Sequence, residues 1–127
     1  MDHPRHGDGA TAGSQAVDGG GRIAVGVAGW SYPDWKGYVY TGTVRDPLRF
    51  VAGYLDMVEV NSTFYRPPDA TTAASWVKRT DDLPDFYFTA KLHQDVTHHG
   101  LLEAGMVRAF REGLEPLAEA GRLRHLL

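Results

Sequence analysis

The sequence predicts an α/β chain with a parallel sheet, a partial TIM (β/α)8 barrel made of about the first three β/α units. Three observations carry this. Strands and helices alternate strictly, in units of roughly 30 residues, which calls for parallel neighbours joined by right-handed crossovers. The second and third strands each separate an apolar face from a face with polar or charged residues, and a barrel lumen is where such a face goes. The competing open, doubly wound sheet lacks its mark, because no glycine-rich dinucleotide fingerprint follows a strand.

Composition sets the outer limits. A chain of 127 residues with 43% hydrophobic content suits one globular domain. The formal charge of -3 gives no basic footprint for a nucleic-acid backbone. With no cysteine, disulfides, zinc thiolates and a cysteine nucleophile are excluded. No run approaches the roughly 18 apolar residues of a membrane helix, and the first residues lack the apolar core of a secretion signal, so the cytoplasm is the expected compartment and no membrane partner is expected.

Met1 to Gly21, rich in glycine with scattered Asp and His, reads as a disordered tail, and residues 22–127 as the folded domain. The first strand is expected over Arg22 to Ala28, with Ile23, Val25 and Val27 on one face and the small Ala24, Gly26 and Ala28 on the other. Gly29 then permits a turn into an aromatic loop carrying Trp30, Tyr32 and Trp35. Asp46 as N-cap with Pro47 at the first helical position starts the first helix, whose buried stripe is Leu48, Val51, Ala52 and Leu55.

The second strand, Met57 to Asn61, points Val58 and Val60 one way and Met57, Glu59 and Asn61 the other. Phe64 and Tyr65 follow in its loop, and Pro67 and Pro68 stiffen the exit. A second helix over about Thr71 to Lys78, capped by Asp69, buries Ala73, Trp76 and Val77. The third strand, Phe86 to Lys91, sets Phe86, Phe88 and Ala90 against Tyr87, Thr89 and Lys91. A loop with His93, His98 and His99 leads to a third helix over about Glu103 to Ala120, its inner side Val107, Phe110, Leu114 and Leu117 and Pro116 a source of bending. Gly121 stops that helix, and Leu123 to Leu127 reads as a fourth strand beginning where the sequence ends.

A carboxylate is rarely buried without a partner, so Glu59 is either a structural acid that pins its loop or a ligand-facing one. Asn61, Ser62, Thr63, Phe64 and Tyr65 directly after it crowd polar groups and flat surfaces into one loop, which favours the second reading. If strands two and three are parallel neighbours, Lys91 and Glu59 share the inward face near the strand ends and are placed to pair.

The segments VGVAGWSYPDW, VEVNSTFYRPP and FTAKLHQDVTH, in that order and spacing, resemble the YecE-like family, domain of unknown function 72. The resemblance runs from about Ile23 to the C-terminus and implies the N-terminal portion of a longer single-domain barrel. The recurrent family positions fall on Gly29, Trp30, Tyr32 and Trp35, then Glu59, Asn61, Phe64 and Tyr65, then Lys91 and His98. All follow C-terminal strand ends, where barrel enzymes place chemistry. Thr41 departs from the pattern at a position where a proline often follows the aromatic pair.

As an enzyme, such a site would use Glu59 as acid or base, Lys91 to hold an anionic group and His98 as a second proton carrier. Trp30, Tyr32, Trp35, Asn61, Phe64 and Tyr65 would bind a sugar- or nucleotide-type substrate, and hydrolysis is the reaction class expected of the full-length family. The barrel is similar in fold to sugar isomerases and endonuclease IV, which use metals; Glu59, His93 and His98 form no recognisable metal motif, and no metal is assigned. No cofactor is indicated. The alternatives are a non-enzymatic module for a small molecule or nucleic acid, with the aromatics merely plugging the barrel mouth, or a truncated chain without function. Open sheet edges lead one to expect self-association or a complementing half-barrel.

Overall fold

The computed structural model describes residues 20–127, so the expected tail lies outside the described residues except for Gly20 and Gly21. Four strands, β1 (Gly26–Ala28), β2 (Met57–Val60), β3 (Tyr87–Ala90) and β4 (Leu123–Leu126), form one sheet in the order β1-β2-β3-β4. Every pairing is parallel. The helices are α1 (Pro47–Ala52), α2 (Ala70–Arg79), α3 (Gln94–Thr97) and α4 (Ala104–Glu119), with short 3-10 turns at Pro33–Trp35 and Ser62–Phe64.

Local chemistry explains where the helices begin and end. Asp46 accepts from the Arg49 N–H, with Pro47 at the first position of α1. Asp69 does the same for Thr71 at the start of α2. Asp46 also meets Arg79 at 3.3 Å, tying the start of α1 to the end of α2. Gly121, at φ 71°, takes the left-handed conformation just past α4, where a side chain would be strained.

In-register parallel neighbours share a face, so Val27, Val58 and Phe88 form one lateral row and Ala28, Glu59 and Thr89 the next. The first row lies under the helices. Val58, Val60, Phe88 and Ala90 are essentially inaccessible and pack with Leu48, Val51, Trp76, Phe110, Leu114 and Leu117 into one core. Burying each such side chain contributes about 1.5–3 kcal/mol, and this core is what sets the sheet's register. The expected facing of strands two and three therefore holds.

Three details differ from expectation. β1 starts at Gly26 and not at Arg22, because nothing covers Ile23 and Val25, which are 85% and 55% exposed. Val25 is held instead by Asp56, whose carboxylate takes its N–H at 2.8 Å. β2 stops at Val60, because Asn61 turns to φ -90°, ψ -28° and opens the following 3-10 turn. The histidine loop contains α3, whose N-cap is the His93 side chain accepting from the Asp95 N–H.

Arg122, just before β4, is buried and stitches the sheet to the α2–β3 connection. Its guanidinium donates to the carbonyls of Leu83, Phe86 and Thr80 at 2.7, 2.8 and 3.0 Å. Burial pushes its pKa down, and the charges of Asp81, Asp82 and Asp85 push it back up.

Candidate functional site

Strand β2 delivers Glu59 half-buried to the face opposite the core, and the chain then turns at once. Within that turn Thr63 is fully buried, and its hydroxyl donates to the Lys91 carbonyl at 2.6 Å. The same oxygen lies 3.2 Å from the Val60 carbonyl. Thr63 therefore clamps the loop after β2 onto the end of β3. This fixes Phe64 beside Lys91, whose ammonium lies 5.7 Å from the Phe64 ring centroid.

His98 completes the group, meeting Phe64 edge-on with ring centroids 5.1 Å apart, and Tyr65 packs edge-on against Phe64 at the same distance. The Thr97 hydroxyl is bonded to His98 Nδ1 at 2.8 Å. His93 supports the loop from below. Its Nδ1 accepts from the Asp95 N–H, which leaves Nε2–H to donate to the Tyr65 carbonyl at 3.2 Å. Lys91, Phe64, Tyr65 and His98 are thus brought together from the loops after β2 and β3.

The expected Glu59–Lys91 ion pair is not formed: no salt bridge within 4.0 Å joins them. Glu59 is level with Thr89 in the register, so Lys91 stands one alternation further along its strand, and its long side chain goes to Phe64 instead. Asn61 also departs from the strand pattern. It lies in the turn, where its carbonyl receives the Phe64 N–H.

The aromatics of the loop after β1 belong to other surroundings. Trp30 meets Trp76 edge-on at 5.3 Å and Phe88 at 6.5 Å, and so packs against the core. Tyr32 packs at a tilt against Trp35, ring centroids 4.9 Å apart, and Trp35 likewise against Tyr40 at 5.7 Å. The Tyr32 and Tyr40 hydroxyls donate to the carbonyls of Ala28 and Trp30, closing the loop on itself. Burial pushes the Tyr40 pKa up.

Three residues of this region hold positions whose consequence the sequence alone does not give. Thr63 looks like any loop threonine. Thr89 is buried, and among the described residues its hydroxyl has no hydrogen-bond partner, an unusual state for a buried polar atom. His125 stands opposite Thr89 on β4, after a register shift, so that Glu59, Thr89 and His125 form one lateral row on the face opposite the helices. Alternation on the third strand gives Thr89; nothing local gives the register that brings His125 beside it. Among the described residues no group of three or more His, Asp or Glu is arranged to hold a metal ion, and no helix is long and apolar enough to cross a membrane.

Comparison with known proteins fits this architecture. Two crystal structures of a DUF72 family protein from Enterococcus faecalis V583 are similar to it. The one at 3.10 Å resolution shares 28% identity at a TM-score of 0.62, over 80% of this chain and 37% of that chain. The one at 2.52 Å shares 24% identity at a TM-score of 0.55, over 79% and 36% respectively, and speaks for the fold alone. This chain therefore spans little more than a third of the length of those relatives. No curated protein matches it. The family model described as protein of unknown function DUF72 matches residues 24–127, and the chain belongs to the DUF72 family.

Proposed function

We propose that residues 22–127 are the first units of a (β/α)8 barrel whose strand-end face binds an anionic sugar- or nucleotide-type molecule in the cytoplasm. Hydrolysis is the reaction that Glu59 and His98 equip it for. The observation that carries the binding half is the Lys91 ammonium 5.7 Å from the centroid of Phe64, a ring that His98 also meets. A cation beside an aromatic surface answers a phosphate or carboxylate attached to a ring. Glu59 supports the acid–base half. It is half-buried and, among the described residues, forms no ion pair, which leaves its carboxyl group open to a ligand.

The Thr97 hydroxyl already occupies His98 Nδ1, which supports a second reading, in which the face holds its ligand without turning it over. One titration separates the two. Ribose 5-phosphate and adenosine monophosphate are added to the labelled chain, amide shifts are followed, and released phosphate is measured in the same samples. Shifts at Phe64, Lys91 and His98 that K91M weakens about tenfold or more support the site, at the cost expected for losing one charge-assisted contact. Phosphate release abolished by E59Q supports hydrolysis. Binding without release supports the second reading, and no shift with either ligand refutes the site.

A further inference from the structure

The turn that carries His98 also holds an acid that the proposed site does not use. Asp95, the second residue of α3, sets its carboxylate between two imidazoles: Oδ2 lies 3.5 Å from His93 Nδ1 and Oδ1 3.2 Å from His99 Nδ1. The His99 contact is a hydrogen bond in which the ring donates, since an ionised carboxylate only accepts. The His93 contact is of another kind. His93 Nδ1 accepts the Asp95 N–H at 3.1 Å and so carries no proton, while Nε2–H goes to the Tyr65 carbonyl.

One residue thus offers His93 Nδ1 two partners. A neutral ring caps α3 by taking the Asp95 N–H. A ring protonated on both nitrogens has no lone pair left for that N–H, and two donors then face each other across 3.1 Å. The Asp95 carboxylate, 3.5 Å from the same nitrogen, is the acceptor within reach, and the His93 side chain is only 12% exposed, so water reaches it little. His99 shares that carboxylate. From the loop after β2 the ring meets the uncharged Tyr65 carbonyl, and Lys91, two residues earlier, sends its ammonium to Phe64. Both protonation states keep a proton on Nε2, so the Tyr65 bond persists in each.

The consequence falls on His98. Helix α3 is a single turn, none of its residues is buried, and the His93 ring is its side-chain cap. A turn this short depends on its cap, because it has too few internal bonds to hold itself. At its far end the His98 N–H closes on the Gln94 carbonyl, and the His98 ring meets Phe64 at 5.1 Å. We infer that His93 is a proton-operated switch: neutral, it holds α3 and with it the His98 ring against Phe64; protonated, it exchanges the Asp95 N–H for the Asp95 carboxylate, and the turn lets His98 go. No ligand takes part, so the switch can fail while the proposed binding stands, and the reverse.

NMR of the full chain, taken from about pH 8 to about pH 5 where imidazoles titrate, tests this. His93 should start as the Nε2–H tautomer, read from its ring nitrogen shifts. As it takes up its second proton, the Cα shifts of residues 94–97 should move toward coil values and the ring-current shift that Phe64 imposes on His98 should shrink, with the Val58 and Phe88 amides unmoved. Loss of the cap should lower the population of the turn about fivefold. H93N keeps an acceptor near the Nδ1 position and does not titrate, so it should hold the turn across the whole range. H93Q reaches toward Tyr65 but is a poor cap, so its turn should be loose at every pH. D95N leaves the protonated ring without a charged acceptor, so its transition should need more acid. A His93 that carries its proton on Nδ1 at neutral pH, or a turn that stays formed while His93 titrates, would overturn the proposal from the wild type alone. An H93N chain that loosens with acid as the wild type does would overturn it as well, by placing the proton on another group.

Discussion

Replacing Arg122 with methionine should destabilise the domain by about 3–4 kcal/mol while leaving the strand-end loops intact. The figure follows from what the guanidinium touches. It donates at 2.7, 2.8 and 3.0 Å to three carbonyls, and a fourth approach, to Asp81, is long at 3.4 Å. The three short bonds from a charged donor are worth about 1 kcal/mol each once the cost of dehydrating the charge is deducted. Two of the acceptors keep another donor, since Leu83 O also receives the Phe86 N–H and Thr80 O the Leu83 N–H. The Phe86 carbonyl has no other donor among the described residues, and stranding it adds about 1 kcal/mol. Methionine keeps much of the buried stem, so packing loss stays small. In urea, with a slope near 1.5 kcal/mol/M, the midpoint should fall by about 2 M, or the variant should be unfolded in buffer. R122K should lie between the two, because an ammonium cannot fork across three carbonyls. A methionine variant within about 0.5 kcal/mol of wild type would refute the reasoning.

Other substitutions probe the scaffold from different sides. Gly113 faces the loop after β2, and a Cβ built there overlaps the Pro68 carbonyl, so G113A should destabilise the domain by about 1–3 kcal/mol despite alanine's helix propensity, read as a lower midpoint in urea. Asp46 caps α1 and pairs with Arg79, so D46A should cost about 1–2 kcal/mol in the same assay. Thr89 buries a hydroxyl with no partner, so T89V should be neutral or stabilising by up to about 1 kcal/mol, and a large loss would show that the hydroxyl has a partner after all. T63V should instead destabilise by about 1–2 kcal/mol and broaden the Phe64 and Lys91 resonances, because it removes the bond that joins their loops.

The elements written in local chemistry were legible and the contacts written in register were not. Aspartate before proline announces α1, and Val58 and Val60 against Glu59 announce which face of β2 is buried; both depend on residues a few positions apart. Alternation overstates the strand ends, because in Ile23 and Val25 it continues past the point where the helices stop covering the sheet. The short helix α3 was missed for the opposite reason. Its cap is a histidine, a side chain that seldom takes this role.

The Glu59–Lys91 pair shows the limit most clearly. Alternation gives both residues one face, yet two residues on one face of neighbouring strands meet only if their levels match, and that level is set by the packing of Val58 against Phe88. The register puts Thr89, not Lys91, beside Glu59. Lysine then finds the ring that Thr63 holds in reach, and the acid is left in a row with a threonine and, through the shift between β3 and β4, with His125. These residues thus fall at two levels: an upper one past the strand ends, with Lys91 beside the rings of Phe64 and His98, and a lower one, with Glu59 in register with Thr89 and His125. If a ligand uses both, its anionic group belongs at the upper level and its reacting bond at the lower. E59Q should then reduce turnover by about 100-fold or more, the usual worth of a positioned proton carrier, and leave binding of the anion unchanged, whereas K91M should do the reverse. Equal losses of binding and turnover in both variants would show that the two levels are not separate.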